Sequence, residues 1–312
     1  MAYDSEVHKT GISSTDIAAI FGISLYGSPK SVYCSKRGLI LPGAGTMSKY
    51  AEAGLKLERT IFEWGCEANG IINGVQQFDV VARNPERDWC IGSPDGFIGD
   101  DGLIECKNVG VSQARYWGEV GSDQIPEAYQ CQVQWLLFVT ERKYCLVFAL
   151  IGGNDLRTYR VERNQALIET IYNRAQSFWF DNVVAGVPPE EVTELDALPL
   201  QLLHPRPEDV TVETDDGKIL EICAELDALK IAMDGTEERK KLLENKLKER
   251  IGDANKLLCG KYRATWSIPK DSTKVDWKGV AMALNPPVDV LRKFTTIETA
   301  SRRFYFKNTE VE

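Results

Sequence analysis

Histidine is almost missing from this chain of 312 residues, which holds only His8 and His204. Paired-histidine chemistry, whether a histidine-metal finger, a zincin helix or a His-rich zinc site, has almost nothing to work with. Cysteine occurs singly, at 34, 66, 90, 106, 131, 145, 223 and 259, with no Cys-x-x-Cys pair. A disulfide framework and a zinc ribbon are therefore not indicated, and a reducing cytoplasm is expected. Long apolar runs are absent too: the longest, 145–151, is far too short to span a bilayer, and the first six residues, Met-Ala-Tyr-Asp-Ser-Glu, lack the basic start and apolar core of a signal peptide. No membrane partner is expected. There is no G-x-x-x-x-G-K-[ST] loop, which argues against ATP-driven work by this chain. With 43% hydrophobic and 27% charged residues the chain can bury a core without staples. Its catalysis must then lean on carboxylates, lysines or hydroxyls.

The net charge of −9 would by itself disfavour a polyanionic partner, but the charge is segregated. Residues 190–235 carry thirteen Asp or Glu against Arg206, Lys218 and Lys230, which accounts for the whole deficit. Residues 256–307 carry eleven Lys or Arg against four acids, with Tyr262, Trp266, Trp277 and Phe304 interleaved. A solvated surface is the commoner meaning of such a run, and a nucleic-acid contact is the sharper one.

Residues 13–37 read as helix, turn at Gly27-Ser28-Pro29, and helix; a longer helix is expected over about 47–69 and places Glu58 among apolar neighbours. Strands follow at 75–82, 89–91, 96–98 and 103–107, the last two joined by Gly99-Asp100-Asp101-Gly102. A helix over 129–138, strands over 144–151 and 156–161 and an amphipathic helix over 162–185 complete a mixed α/β domain, 1–187. An acidic, proline-rich linker is expected over 188–217. Beyond it, in 218–312, lie two helices, 218–233 and 236–251, broken at Asp234-Gly235 into a hairpin, and a strand at Tyr262–Ile268 paired with 302–306.

The chemistry concentrates in Ser93-Pro94-Asp95-Gly96 and Glu105-Cys106-Lys107. In a strand Glu105 and Lys107 point the same way and Cys106 the other, and the hairpin can fold Asp95 back beside them. Two carboxylates and a lysine on one face suit a Mg²⁺ site for phosphodiester hydrolysis, the ammonium orienting or helping to deprotonate the attacking water. As bare residue types, the same spacing more often marks a surface hairpin with a weak Glu105–Lys107 pair and Asp95 capping a turn.

The run Asp95-x9-Glu105-x-Lys107 resembles the PD-(D/E)xK nuclease signature, and its surroundings resemble the YqaJ-like viral recombinase family, to which phage lambda exonuclease is related. The blocks that carry the resemblance are residues 11–22, GISSTDIAAIFG, residues 54–58, GLKLE, and residues 129–135, YQCQVQW. Together they cover about residues 8–185. The resemblance implies a restriction-endonuclease-like α/β (α+β) core with a mixed central sheet flanked by helices. It implies Glu58, Asp95, Glu105 and the Cys106 carbonyl around Mg²⁺, with Mn²⁺ as a substitute, and Lys107 and Gln132 acting on water or the transition state. For DNA and its 5′-phosphate it implies Lys9, one residue out of register with the N-terminal arginine that the family usually has there, with Ser14, Thr15 and Tyr129. The scattered cysteines argue against the iron-sulfur cluster of other relatives of this fold. The implied activity is ATP-independent digestion of linear double-stranded DNA from 5′ ends, leaving 3′ single strands, inside a bacterial host. The implied partners are a phage single-strand annealing protein and further copies of the chain in a ring, commonly a trimer. A structure-specific or nicking endonuclease, and a non-catalytic DNA-binding scaffold, remain as alternatives.

Overall fold

The computed structural model describes residues 5–39, 48–76, 80–206, 208, 210–269, 274–284, 286–295 and 304–306. It divides into two units, Met1–Pro205 and Arg206–Glu312.

The first unit opens with helices α1 (Ser5–Lys9), α2 (Ser14–Ile20), α3 (Pro29–Lys36) and α4 (Lys49–Ala68). Strands β1 (Gly74–Gln76), β2 (Ala82–Arg83), β3 (Ile91–Gly92), β4 (Gly96–Ile98) and β5 (Gly102–Val109) follow, then α5 (Glu127–Thr140), β6 (Tyr144–Ile151), β7 (Asp155–Glu162), α6 (Gln165–Ser177) and α7 (Ala197–Leu203). A five-stranded sheet runs β1-β4-β5-β6-β7, with β5 and β6 parallel and the other pairs antiparallel. This is the expected mixed sheet flanked by helices. Pairing β5 with β6 in parallel requires a crossover, and α5 supplies it.

Period-2 alternation along β5 sorts its side chains between two apolar layers. Leu103 and Val109 pack with Val133, Leu136 and Leu137 of α5, while Ile104 and Cys106 pack on Ile61, Phe62 and Cys66 of α4. Each fully buried Ile, Leu or Phe contributes about 1.5–3 kcal/mol, so both helices are fixed by their apolar faces. The approach of α4 to the sheet depends on Gly65: a Cβ there would fall 2.2 Å from the Phe148 ring.

Residues 188–205, expected as linker, belong to this first unit, so its boundary lies at 205 rather than 187. Buried Lys30 donates to the carbonyls of Pro189, Glu190 and Glu191, and the Ser28 hydroxyl donates to Asp196, which is fully buried. A buried ammonium and a buried carboxylate each need partners, and these contacts supply them.

In the second unit the expected helical hairpin is one continuous helix, α8 (Gly217–Ile251), of 35 residues. A single glycine in a helix interior costs only about 1 kcal/mol relative to alanine, and the Glu, Lys, Arg and Leu residues around Gly235 outweigh it. Strand β8 (Lys256–Cys259), where no strand was expected, pairs antiparallel with β9 (Tyr262–Thr265). The register leaves Gly260 and Lys261 as a two-residue turn, with Gly260 at φ +56°, so the two strands form a tight local hairpin. Arg302 and Arg303 lie outside the described residues, and 304–306 form no strand. Short helices α9 (Trp277–Ala283) and α10 (Val288–Lys293) follow. Among the described residues no helix is long and apolar enough to cross a membrane.

Candidate active site

The face of β5 that looks toward α5 turns from apolar to polar between Leu103 and Val109, where Glu105 and Lys107 stand side by side. Lys107 Nζ donates to Glu105 Oε1 at 2.6 Å and to Gln132 Oε1 at 3.0 Å, and Gln132 Nε2 donates to Glu105 Oε1 at 2.7 Å. The three side chains close a ring in which Gln132, from the middle of α5, bridges acid and base. Tyr129, one helical turn earlier, lays its ring 4.9 Å from the ammonium, a cation–π distance. Trp117 in turn supports Tyr129, with centroids 5.6 Å apart.

Asp95 reaches the same place from the short segment between β3 and β4. Its Oδ2 accepts the backbone N–H of Cys106 at 2.6 Å, which pins the carboxylate against the middle of β5. Burial, then repulsion from Glu105, raises the Asp95 pKa well above its ordinary value, with Glu58 adding to the effect and Lys107 and the Cys106 amide opposing it. Lys107 is largely removed from solvent as well, its side chain 15% exposed, which taken alone would lower its pKa. Attraction to Glu105 and Asp95 outweighs that and holds the ammonium above its ordinary value. At neutral pH Lys107 is therefore a charged donor rather than a base.

Glu58 stands on α4, the helix that covers the opposite face of β5, and its charge is felt at Asp95 and at Cys106. Burial first, then the Asp95 and Glu105 charges, keep the Cys106 thiol protonated. Among the described residues no three His, Cys, Asp or Glu side chains are gathered closely enough to form a cation cage by themselves. One observation nevertheless points to a missing positive partner: Glu105 Oε2 is buried and has no hydrogen-bond donor. An orphaned carboxylate oxygen beside a second, destabilised carboxylate fits a divalent cation chemically.

Lys9 stands at the end of α1, and Ser14 and Thr15 open α2. Ile12 bonds in both directions to the strand that leads into Asp95, its N–H donating to the Trp89 carbonyl and its carbonyl accepting from Ile91. That pairing ties the start of α2 to the chain just ahead of the acidic site. Lys9 pairs with Glu6 at 2.7 Å, Ser14 is buried, and the exposed Thr15 places its hydroxyl 3.0 Å from that of Ser13. The start of α2 is closed by Asp16, whose Oδ2 accepts the Ser13 amide and hydroxyl and pairs with buried Lys36 at 2.6 Å. The Lys36–Asp16 pair was not legible in the sequence, where an isolated lysine in a short helix carries no signal of its partner.

The arrangement thus defines an α/β domain with a buried acidic pair, a captive lysine and a bridging glutamine at the middle of its sheet. Residues 5–143 match the model of the YqaJ-like viral recombinase domain, the family that the motifs at 11–22, 54–58, 95–107 and 129–135 resemble. Over 309 residues the chain is 26% identical to the uncharacterized protein YqaJ of Bacillus subtilis (strain 168), covering 96% of this chain and 92% of that one. Among solved structures it is similar to an alkaline exonuclease, LHK-Exo, from Laribacter hongkongensis, at 18% identity, covering 58% of this chain and 92% of the other with a TM-score of 0.46. A phage-related exonuclease from Haemophilus somnus 129PT is 13% identical, with 56% and 96% covered and a TM-score of 0.36.

Proposed function

We propose that the protein is a Mg²⁺-dependent deoxyribonuclease that digests linear double-stranded DNA without ATP, from 5′ ends, exposing 3′ single strands for recombination by annealing. The observation that carries this reading is the convergence of Asp95, Glu105, Lys107 and Gln132, with one carboxylate oxygen left buried and unpartnered. Asp95 and Glu105 would hold the cation, with Glu58 and the Cys106 carbonyl completing its surroundings and Mn²⁺ able to replace it. A bound divalent ion supplies polarisation of the scissile phosphate and neutralises charge that builds on it.

The protein's own groups do the rest. Lys107 has three N–H donors, of which Glu105 and Gln132 take two, so one remains for the attacking water or a phosphate oxygen. Its charge stabilises the pentavalent transition state, and Gln132 fixes the direction in which the ammonium points. Tyr129 shields the ammonium from solvent on one side. Lys9 is the proposed cation for the terminal 5′-phosphate, with Ser14 and Thr15 as proposed hydroxyl partners. Its exposed pair with Glu6 is worth at most about 1 kcal/mol and is readily exchanged. The YqaJ-like viral recombinase domain supports a phage setting in a bacterial cytoplasm, with a single-strand annealing protein and further copies of the chain as partners.

The test is product analysis on matched linear and covalently closed circular duplexes, with Mg²⁺ or EDTA, for wild type and Lys107→Ala. Loss of linear DNA alone, requiring Mg²⁺ and Lys107, is the expected result. Cutting of circles would replace the exonuclease by an endonuclease, and digestion of neither would leave a DNA-binding scaffold.

A further inference from the structure

Helix α8 is 35 residues long, and Ile251 at its very end is its one buried residue. The helix is near 50 Å long at 1.5 Å per residue, and in proteins most helical stability comes from packing an apolar face rather than from propensity. It carries one. Ile219, Ile222, Leu226, Leu229 and Met233 recur at alternating three- and four-residue spacing, and all are exposed, Leu229 at 53% and Met233 at 71%. The same spacing continues through Thr236 and Lys240 to Leu243 and Leu247. This is a heptad seam, with Ile219 at an a position and Ile222 at a d position, sustained over four heptads. Leu220, Ile231 and Leu242 fall on the opposite side and form no such seam.

We propose that α8 is a coiled-coil strand and that its occupant is α8 of a second copy of this chain, parallel and in register. Two features select that occupant. First, the g and e positions complement themselves across a parallel pair: Glu225 (g) meets Lys230 (e) of the second copy, and Arg239 (g) meets Glu244 (e). Second, parallel in-register pairing stacks apolar layers on apolar layers and gathers Thr236 and Lys240 opposite their own counterparts. An antiparallel pairing about the helix centre would instead set Lys240 against the leucine layers. A lone polar a position of this kind fixes register at some expense in stability. The inference does not depend on the nuclease reading, since no residue of α8 belongs to the acidic site.

Sedimentation of the full-length chain over a concentration series tests it, with far-UV circular dichroism to confirm folding. Wild type is expected to self-associate at micromolar concentration. Leu226→Glu/Leu229→Glu, which changes only exposed positions, is expected to weaken association by roughly a hundredfold or more. Glu225→Lys is expected to weaken it by about tenfold, and adding Lys230→Glu to restore it. A monomeric wild type, an oligomer indifferent to Leu226→Glu/Leu229→Glu, or a charge swap that fails to restore association would each overturn the proposal.

Discussion

Replacing Asp95 by asparagine is expected to stabilise the metal-free protein at neutral pH while abolishing nuclease activity. The carboxyl is raised well above its ordinary pKa by burial and by Glu105. A carboxyl whose folded pKa exceeds its unfolded value of about 3.9 lowers stability as pH rises from that value to the folded one, and the loss then stays constant. Wild type should therefore become more stable as the pH is lowered from 7 toward 4, and the variant should lack that gain. Lys107 does not blur the window: its pKa is raised, so its contribution is fully present below the unfolded value of about 10.4 and is lost only as the pH climbs from there through the folded one. Asparagine keeps an acceptor for the Cys106 amide, which now donates at 2.6 Å, so the backbone contact survives. Removing a poorly compensated buried charge typically contributes about 1–4 kcal/mol. In a unit ending at Pro205, each kcal/mol moves Tm by roughly 2–4 °C, so a rise of about 2–16 °C is expected. Scanning calorimetry in EDTA between pH 4.5 and 8 measures it, and added Mg²⁺ should raise Tm in wild type far more than in the variant. A lower Tm for the variant at pH 7 in EDTA, or parallel pH profiles, would refute the reasoning.

Lys107→Met should reduce cleavage of linear duplex by about 10²–10³, as removal of one preorganised donor does. It should also destabilise by about 3 kcal/mol, because Glu105, whose side chain is 4% exposed, loses its cation; single-turnover digestion and chemical denaturation read the two effects separately. Gln132→Ala should leave the Mg²⁺ requirement intact and slow turnover by about 10–100-fold, since it orients Lys107 and Glu105 without replacing either. Gly65→Ala should cost about 1–3 kcal/mol or more in a urea titration, because its Cβ would meet the Phe148 ring at 2.2 Å. A chain ending at residue 187 should unfold at a lower temperature than one ending at 205, since it leaves Lys30 without its carbonyls and Ser28 without Asp196.

What could be read from the sequence was whatever repeats with the period of a strand or a helix. Alternation alone puts Glu105 and Lys107 on one face of β5 and Cys106 on the other, and the strand does so because α5 and α4 cover its two faces. Asp95 could be brought near by the hairpin, but nothing local says that it would be held by the amide of Cys106. The carbonyl cradle of Lys30 spans more than 150 positions of chain and has no periodic signature at all. Composition pointed the wrong way there: prolines and acids suggested a linker, yet buried partners on α3 outweigh that preference. Helix α8 shows the opposite failure. Asp234-Gly235 is a strong local stop signal, and taken at face value it cuts one seam into two short amphipathic pieces. Once the helix is continuous the apolar positions on either side of Gly235 fall into a single three-four repeat, so the same residues that seemed to describe a hairpin folding on itself describe a surface awaiting another helix. The break and the repeat cannot both be right, and which one holds turns on about 1 kcal/mol at one glycine set against a seam of four heptads.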